Sequence, residues 1–351
     1  MKAYVLHEIG DYRYENVEKP LVEPGKVMIR VCAAGICGSD IPRIYRTGAY
    51  FYPLIPGHEF AGEVLETGQG VSRNWVGKRV GVFPLIPCME CPQCHKKQYE
   101  MCDHYSYLGS RTNGGFAEYV QVPEWNLIEL PNSVTMEQAA MMEPMSVAVH
   151  AIRRAVPQHQ ETICICGLGT IGLFTAMFLK EMGLQNVYVA GNKDFQKKLV
   201  KELGVNEEDY CDIRTQNFVE WLSEHTSGQG VDIFFDCVGK NEVMMQGLDA
   251  LAAEGRMLLV GNPASDIELP KNLYWKILRK QIKLIGTWNS SFRHEKDDDW
   301  NYVLSRLEEK RIEPEKIITH RMSPDEFLKG FEIMRDKTED YVKIMMLASL
   351  T

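Results

Sequence analysis

The sequence lacks the features that indicate a membrane protein, a secreted protein or a nucleic-acid-binding protein. Its most apolar stretch, residues 163–178, is interrupted by glycine and is too short to span a bilayer. The amino-terminal segment MKAYVLHEIGDYRYENVEKP reaches acidic residues too early to contain the apolar core of a signal peptide. A formal net charge of −9 would repel an extended phosphate backbone. We therefore expect a cytoplasmic protein without nucleic-acid or membrane partners.

Internal repeats and low-complexity tracts are also missing, which agrees with an ordinary globular fold. The apolar fraction of 45% and the charged fraction of 25% are typical of a folded protein rather than a disordered one. A chain of 351 residues is longer than one hydrophobic core usually supports. The sequence therefore predicts two domains.

The pattern of apolar residues changes near residue 161. Before that point, short alternating segments separated by glycine and proline predict a strand-rich domain over residues 1–150. After it, apolar strands alternate with helical segments, which predicts a Rossmann-type, doubly wound parallel sheet over residues 151–292. Residues 293–351 contain polar helices and a final apolar strand, and we expect them to return to the first domain. The predicted fold is therefore α/β, with the nucleotide-binding domain inserted into the other.

A glycine-rich turn follows the apolar segment ICIC and precedes a predicted helix. The first glycine permits a tight turn, the second lets the backbone approach a pyrophosphate, and the third allows close packing of helix and strand. The residues predicted to bind a dinucleotide at the helix amino terminus are Gly167, Gly169, Thr170, Ile171 and Gly172. A merely structural turn is the alternative.

The residues expected at the ribose end of the cofactor come about twenty positions further on. NAD-specific sites carry an acidic residue there, whereas this sequence has Ala190-Gly191-Asn192-Lys193. We expect Gly191 to open space and Lys193, beside Asn192, to accept a 2′-phosphate, so that NADP is favoured over NAD. In the alternative, Lys193 is an ordinary surface lysine and Asp194 bonds the ribose.

Ten cysteines in a chain without an export signal indicate thiols that bind metal or react, rather than disulfides. Four of them fall within fifteen residues, at Cys88, Cys91, Cys94 and Cys102. Four thiolates complete the tetrahedral shell of a structural zinc ion and leave no position for water. A redox or iron–sulfur site is the alternative, because four thiols alone do not fix the metal.

A second set of metal-binding side chains lies outside this loop. Candidate ligands of a catalytic zinc ion, which needs an incomplete shell, are Cys37, His58, Glu59 and Glu143. Such an ion lowers the pKa of a hydroxyl group and polarises a carbonyl, as hydride removal from an alcohol requires. Ser39, two residues after Cys37, is the candidate first step of the proton's route. Each residue alone is more often part of an ordinary core, and their joint occurrence carries the prediction.

These motifs together resemble the zinc-containing medium-chain dehydrogenase family over essentially the whole chain. The matching residues occur in the family's order: Gly57-His58-Glu59, the four-cysteine loop, Gly114-Gly115-Phe116-Ala117-Glu118-Tyr119, Glu143-Pro144 and the glycine turn. The resemblance implies a β-rich, GroES-like catalytic domain with an inserted Rossmann domain. It also implies two zinc ions per chain, the catalytic one held by Cys37, His58 and Glu143. Glu59 would enter that shell when substrate or water leaves, and Ser39 would relay the proton.

The carboxylate of Glu143 resembles the residue that the polyol branch of the family has at this position, whereas the simple-alcohol branch has cysteine there. Further segments resemble dehydrogenases of polyol phosphates: residues 37–44, 50–53, 108–115 and 276–280. The resemblance implies oxidation of a secondary hydroxyl, with galactitol 1-phosphate converted to tagatose 6-phosphate. Arg43 and Arg111 could clamp the phosphate. Either one taken singly is equally well explained as a surface or ion-paired arginine.

Two positions depart from the family pattern, and two rival functions stay open. Pro42 stands where many relatives carry a relay histidine, and the acidic residue of NAD-dependent relatives is missing near Gly191. One rival function is oxidation of an unphosphorylated polyol or amino alcohol, of the sorbitol or threonine type. The other is a non-catalytic dinucleotide-binding protein.

The resemblance also implies a homodimer or homotetramer, with residues 256–261 and 281–288 near the sheet edge that would pair.

Overall fold

The structure, a computed structural model, describes residues 1–263 and 265–350. Its strands are β1 (Lys2–Glu8), β2 (Asp11–Asn16), β3 (Lys26–Gly35), β4 (Glu59–Thr67), β5 (Arg79–Val82), β6 (Leu85–Ile86), β7 (Ser106–Tyr107), β8 (Tyr119–Pro123), β9 (Leu127–Glu129), β10 (Ile163–Cys166), β11 (Val187–Gly191), β12 (Tyr210–Asp212), β13 (Val231–Asp236), β14 (Leu251–Leu259), β15 (Lys283–Gly286), β16 (Ile318–Met322) and β17 (Lys343–Leu347). Its α-helices are α1 (Asp40–Pro42), α2 (Pro92–His95), α3 (Met136–Ala140), α4 (Met142–Ala155), α5 (Thr170–Glu181), α6 (Asp194–Glu202), α7 (Phe218–His225), α8 (Asn241–Ala250), α9 (Lys271–Lys280), α10 (Asp299–Glu308) and α11 (Leu328–Asp336). Single turns of 3₁₀ or π helix occupy Arg43–Thr47, Arg73–Trp75, Tyr99–Met101, Glu124–Asn126, Glu207–Asp209, Pro314–Ile317 and Ala348–Leu350. Within the described residues, none of the helices has both the length and the apolar composition that a membrane crossing requires.

The chain forms two compact units, and the second is inserted into the first. One unit comprises Met1–Glu143 together with the segment from Ser291 onward, and the other comprises Pro144–Ser290. Helix α4 begins at Met142, so the first junction lies within its opening turn. A six-stranded parallel sheet in the inserted unit and a strand-rich first unit confirm the predicted α/β fold class.

The main sheet of the first unit brings three distant segments to one edge. Its order is β16-β17-β3-β4-β5-β9, and β8 pairs with the first half of β3. The last residue of β3, Gly35, pairs with Glu59 on one side and with Met345 on the other. Because β3 ends where β4 begins, the residues just after Gly35 lie beside those at the start of β4. This register assembles the candidate site described below.

Aromatic packing attaches the carboxyl-terminal segment to the amino-terminal hairpin β1–β2 within the first unit. The rings of Tyr4, Phe116, Phe327 and Phe331 are completely buried. Phe327 and Phe331 lie edge to face at 5.2 Å, and the Tyr4 hydroxyl donates to the carbonyl of Pro324 at 2.7 Å. Burying each ring stabilises the fold by ~1.5–3 kcal/mol. Helix α11 is thereby held against the sheet that contains β17.

The inserted unit has the strand order β12-β11-β10-β13-β14-β15, with every strand parallel to its neighbours. The ICIC segment forms the central strand β10 and is buried on both faces, which explains its uninterrupted apolar character. From β10 the chain continues to β11 on one side, while β13 lies on the other. Strand order therefore reverses at the carboxyl end of β10, where open parallel sheets bind their ligands.

Candidate active site and metal centres

The glycine turn after β10 has the shape that a dinucleotide diphosphate needs. Gly167 adopts a φ of 96°, and a Cβ on Gly172 would lie 1.9 Å from the Gly167 carbonyl oxygen. A Cβ on Gly169, in contrast, would meet nothing within 4 Å. The open side of the turn is therefore the side from which a diphosphate could approach. Thr170 and Ile171 form the first turn of α5, so their backbone N–H groups lie at its amino terminus.

The end of β11 corrects one expectation from the sequence. We expected Gly191 to open space, but a Cβ there would lie 2.8 Å from the Tyr210 hydroxyl and 2.9 Å from Gln196 Oε1. The glycine is needed because neighbouring side chains occupy its volume. Gln196 also accepts a hydrogen bond from the backbone of Asn192, which fixes the loop before α6. Lys193, the residue before α6, is followed by Asp194 at the first helical position.

The four clustered cysteines form a closed set of sulfur atoms, all within 4.8 Å of one another. The Sγ atoms of Cys88 and Cys94 are 3.9 Å apart, as are those of Cys91 and Cys102. Tetrahedral coordination with Zn–S bonds of about 2.3 Å places sulfur atoms about 3.8 Å apart. Backbone N–H groups of Cys94 and Asp103 lower the pKa of Cys91 to about 6, whereas burial raises the pKa of Cys94 to about 12. The donor set therefore fits a structural zinc ion.

A second cluster forms where β3 ends and β4 begins. The ligand atoms of Cys37, His58 and Glu59 all lie within 4.8 Å of one another, and His58 and Glu59 are buried. Burial raises the pKa of the Cys37 thiol to about 12, and the carboxylates of Glu59 and Asp40 add to the shift. A cation must therefore offset this negative charge if the thiol is to ionise near neutral pH. The chemistry of the donor set fits a divalent metal ion.

Glu143 lies near this cluster but does not join it. Its buried carboxylate accepts a hydrogen bond at 3.1 Å from the hydroxyl of Tyr107, whose ring packs edge-on at 5.7 Å from that of His58. Burial raises the pKa of Glu143 to about 7, although His58 opposes the shift. Of the ligands that the family resemblance implies, the structure thus brings two together and leaves Glu143 beside them. Its role as a ligand stays a prediction.

Asp40 connects the metal cluster to one of the predicted substrate arginines. This fully buried carboxylate accepts hydrogen bonds from the backbone of Cys37 at 3.1 Å and from Arg43 Nη1 at 2.6 Å. His58 Nδ1 lies 3.6 Å from the same oxygen that Arg43 contacts. At that distance the imidazole and the carboxylate do not form a hydrogen bond. Arg43 is therefore engaged with the buried carboxylate.

The second predicted arginine, Arg111, lies between two tyrosine rings at the surface. Its guanidinium carbon is 4.6 Å from the ring centroid of Tyr50 and 4.3 Å from that of Tyr105. Arg111 Nη1 also donates to the Tyr105 carbonyl at 3.3 Å, whereas Arg43 donates to Asp40. The rings hold the guanidinium plane while its edges can still donate. The joint phosphate clamp predicted from the sequence stays a prediction, and Arg111 is the arginine whose setting suits it.

The proposed proton-relay hydroxyl lies next to the cluster. Ser39 Oγ donates to Cys37 Sγ at 3.3 Å. Pro42, which ends α1, has a carbonyl that accepts from Thr47 but no side-chain group that could carry a proton. Any route beyond Ser39 therefore has to use groups other than residue 42.

Three residues that contact the candidate site were not singled out from the sequence: Asp40, Tyr107 and Lys343. Lys343, at the start of β17, is 1% exposed and donates to Glu59 Oε2 and to the carbonyl of Ile36. A lysine within the apolar segment VKIMML was the available signal for it, because a buried lysine requires a partner. Asp40 lies within residues 37–44, a segment that resembles polyol phosphate dehydrogenases, and nothing in the sequence distinguished Tyr107.

Comparisons with known proteins agree with this geometry. The family model of the alcohol dehydrogenase GroES-like domain matches residues 23–132, and that of zinc-binding dehydrogenases matches residues 170–309. The chain is 30% identical to galactitol 1-phosphate 5-dehydrogenase from Escherichia coli K12 over 93% of this chain and 94% of that protein. It is 33% identical to sorbitol dehydrogenase from Halalkalibacterium halodurans over 99% of both chains.

Solved structures have the same fold. Galactitol-1-phosphate dehydrogenase from Escherichia coli superposes with a TM-score of 0.90 at 28% identity, covering 99% of this chain and 100% of that one. A zinc-binding dehydrogenase from Sinorhizobium meliloti 1021 bound to NADP gives 0.89 at 26% identity, covering 99% and 98%. An alcohol dehydrogenase from Escherichia coli CFT073 complexed with NADH gives 0.89 at 26%, covering 99% of both. The chain therefore belongs to the zinc-containing medium-chain dehydrogenases and is an oxidoreductase of their alcohol and polyol branch.

Proposed function

We propose that this protein oxidises a secondary hydroxyl of a polyol phosphate, with galactitol 1-phosphate converted to tagatose 6-phosphate as the specific reaction. The observation that carries the proposal is the convergence of Cys37, His58 and Glu59 on one small volume, in a chain that also contains a dinucleotide turn. Similarity to galactitol 1-phosphate 5-dehydrogenase over most of both chains supports the choice of substrate.

The chain's own side chains have distinct parts in this mechanism. Cys37, His58 and Glu143 would hold a zinc ion, and Glu59 would serve as the exchangeable carboxylate. When bound, zinc would supply a Lewis acid for the hydroxyl group, and the nicotinamide would accept the hydride. Ser39, whose Oγ lies 3.3 Å from Cys37 Sγ, would relay the hydroxyl proton, accepting it while passing its own proton on towards solvent. With the four-cysteine site, this gives two zinc ions per chain, which metal analysis of the purified protein would test.

Recognition of the phosphate is assigned to Arg111. The Arg111 guanidinium packs on the ring of Tyr105. The ring centroids of Tyr105 and Tyr107 are 6.3 Å apart, and those of Tyr107 and His58 are 5.7 Å apart. Two tyrosine rings therefore connect Arg111 with the metal cluster. A six-carbon phosphate ester oxidised at C5 carries its phosphate at C1, away from the reacting carbon, so its recognition calls for a cation outside the metal cluster. Charge-assisted bidentate hydrogen bonds from a guanidinium suit such a dianion.

Kinetics with matched substrates would test the assignment. Galactitol 1-phosphate, galactitol, sorbitol and threonine would be compared in the wild type and in Arg111→Ala. We expect kcat/KM for the phosphorylated substrate to fall by about ten- to hundredfold in the variant, in line with loss of a hydrogen bond to a charged group. Arg335→Ala is the control, because Arg335 also stacks on a tyrosine, Tyr45.

The same assay separates the rival functions. Equal activity on galactitol and galactitol 1-phosphate, unaffected by Arg111→Ala, would favour an unphosphorylated polyol. Preferred turnover of sorbitol or threonine would favour the corresponding dehydrogenases. A protein with one zinc ion per chain and no cofactor reduction with any of these substrates would favour a non-catalytic dinucleotide-binding role.

We further propose NADP as the preferred cofactor and a homodimer or homotetramer as the assembled form. Edge strand β15 exposes Leu284, and the nearby Trp288 is 52% exposed. An apolar sheet edge of this kind invites pairing with a second copy. Light scattering of the wild type and of Leu284→Lys would test this, with monomer expected for the variant. None of the ten cysteines forms a disulfide, which supports the proposed cytoplasmic location.

A further inference from the structure

A guanidinium group lies over the end of β11, where sequence reasoning had placed only Lys193. Arg214 follows β12, and the backbone N–H of Ile213 donates to the Gly191 carbonyl at 3.1 Å. This bond holds the segment after β12 against the end of β11. The arginine thereby reaches the loop that carries Asn192 and Lys193.

Two carboxylates hold this guanidinium unequally. Asp212 accepts from Nε at 2.8 Å and from Nη2 at 2.5 Å, which fixes one edge of the Arg214 fork. Asp194 accepts from Nη2 alone, and its side chain is 89% exposed. The Asp212 side chain is 23% exposed. An exposed single contact is easily exchanged for another anion, whereas the bidentate contact keeps the guanidinium in place.

The loop beside Arg214 is itself fixed. The Tyr210 hydroxyl donates to the Lys193 carbonyl at 3.2 Å, and Gln196 bridges the Asn192 N–H and the Leu168 carbonyl. In a Rossmann fold, this end of the second strand faces the ribose of the adenosine half. The volume next to Gly191, where an acidic side chain would contact ribose hydroxyls, is filled by neighbouring side chains. A 2′-substituent would instead meet the side chains that flank the loop.

We propose that Arg214 binds the 2′-phosphate of NADP. Without cofactor, the Asp194 carboxylate occupies the phosphate's place beside Arg214, and binding of NADP displaces it. The inference rests on the proposed preference for NADP and adds its determinant. Asp212 orients the guanidinium, Lys193 contributes a second positive charge, and the phosphate takes the place of the Asp194 carboxylate on Nη2. Arg214 is thus a specificity-determining residue, and Asp194 is its competitor.

Binding of nucleotide fragments tests the proposal without any turnover. Isothermal titration of the full-length protein would compare adenosine 2′,5′-bisphosphate with adenosine 5′-phosphate, which differ only in the 2′-phosphate. We expect the wild type to bind the bisphosphate more tightly. Arg214→Ala should weaken bisphosphate binding by about ten- to hundredfold and leave 5′-phosphate binding unchanged.

Asp194→Asn is the opposing variant and should tighten bisphosphate binding, because it removes the competing charge. Lys198→Ala is the matched control, since Lys198 is an exposed cation of the same helix α6 and should change neither affinity. Equal binding of the bisphosphate by the wild type and Arg214→Ala overturns the proposal, as does tighter binding of the 5′-phosphate by the wild type.

The outcome is independent of the substrate assignment. The tighter binding of the bisphosphate could depend on Arg214 while no polyol phosphate is oxidised. In that case only the proposed substrate is wrong. If neither nucleotide binds the wild type, both the proposal for Arg214 and the assignment of a dinucleotide cofactor are wrong.

Discussion

Nζ of Lys343 lies 2.5 Å from Oε2 of Glu59, and both side chains are only 1% exposed. The lysine also donates to the carbonyl of Ile36, so two hydrogen bonds hold its charge inside the first unit. A carboxylate next to Cys37 and His58 is thereby kept paired with a fixed cation. The pair links the last strand of the chain to the start of β4.

Removing the lysine should leave Glu59 as an unpaired buried charge. We expect Lys343→Met to lower the free energy of unfolding by ~3–5 kcal/mol, the usual effect of breaking a buried ion pair. Urea unfolding would measure this. The double variant Lys343→Met/Glu59→Gln should recover part of the loss, because the remaining glutamine is neutral. Equal stability of Lys343→Met and the wild type would contradict a structural role for the pair.

The glycine turn offers two substitutions with opposite expected effects. A methyl group on Gly172 would lie 1.9 Å from the Gly167 carbonyl, so Gly172→Ala should destabilise the protein by ~1–3 kcal/mol. A methyl group on Gly169 would meet nothing within 4 Å, so Gly169→Ala should fold normally and lose dinucleotide affinity. Thermal unfolding and cofactor titration would separate the two. Normal cofactor binding by Gly169→Ala would argue against diphosphate binding on this side of the turn.

The four-cysteine site should order its loop rather than take part in the chemistry. We expect Cys94→Ser to reduce the zinc content from two ions per chain to one and to expose residues 88–102 to protease, since three thiolates cannot close the shell. Cys32→Ser is the control, because Cys32 lies outside both clusters. Metal analysis with limited proteolysis would measure both effects. Retention of two zinc ions by Cys94→Ser would contradict the assignment.

A buried thiol of the inserted unit should make stability fall at alkaline pH. Burial, with a smaller effect of Asp212, raises the pKa of Cys211 to about 11, compared with about 8.5 in an unfolded chain. The unfolded chain loses this proton first. The thiol's contribution to stability is therefore complete below about pH 8.5 and is lost as the pH rises through about 11.

Replacing that thiol isolates its effect. Between pH 8 and 11 the free energy of unfolding should fall more steeply for the wild type than for Cys211→Ser, whose hydroxyl does not ionise in this range. Urea unfolding at several pH values would compare the two slopes. Parallel pH profiles would show that Cys211 titrates alike in the folded and unfolded chains.

Features that depend on neighbouring residues could be predicted from the sequence. The glycine turn, the four-cysteine loop and the alternation of strands and helices in the inserted unit are each defined by short spacings. Their geometry follows from local backbone conformation, periodicity and ligand valence. The fold class and the family followed from these motifs and their order along the chain.

The remaining features of the site depend on strand register and packing between residues far apart in the sequence. Lys343 and Glu59 are separated by 284 positions and meet because β17 and β4 both pair with β3. The contact between Tyr107 and Glu143, which are 36 positions apart, follows from the same kind of long-range packing. Sequence alone specified which groups could ionise or bind metal. Only the tertiary structure decided which charges neutralise one another, because pairing depends on distance and burial rather than on sequence spacing.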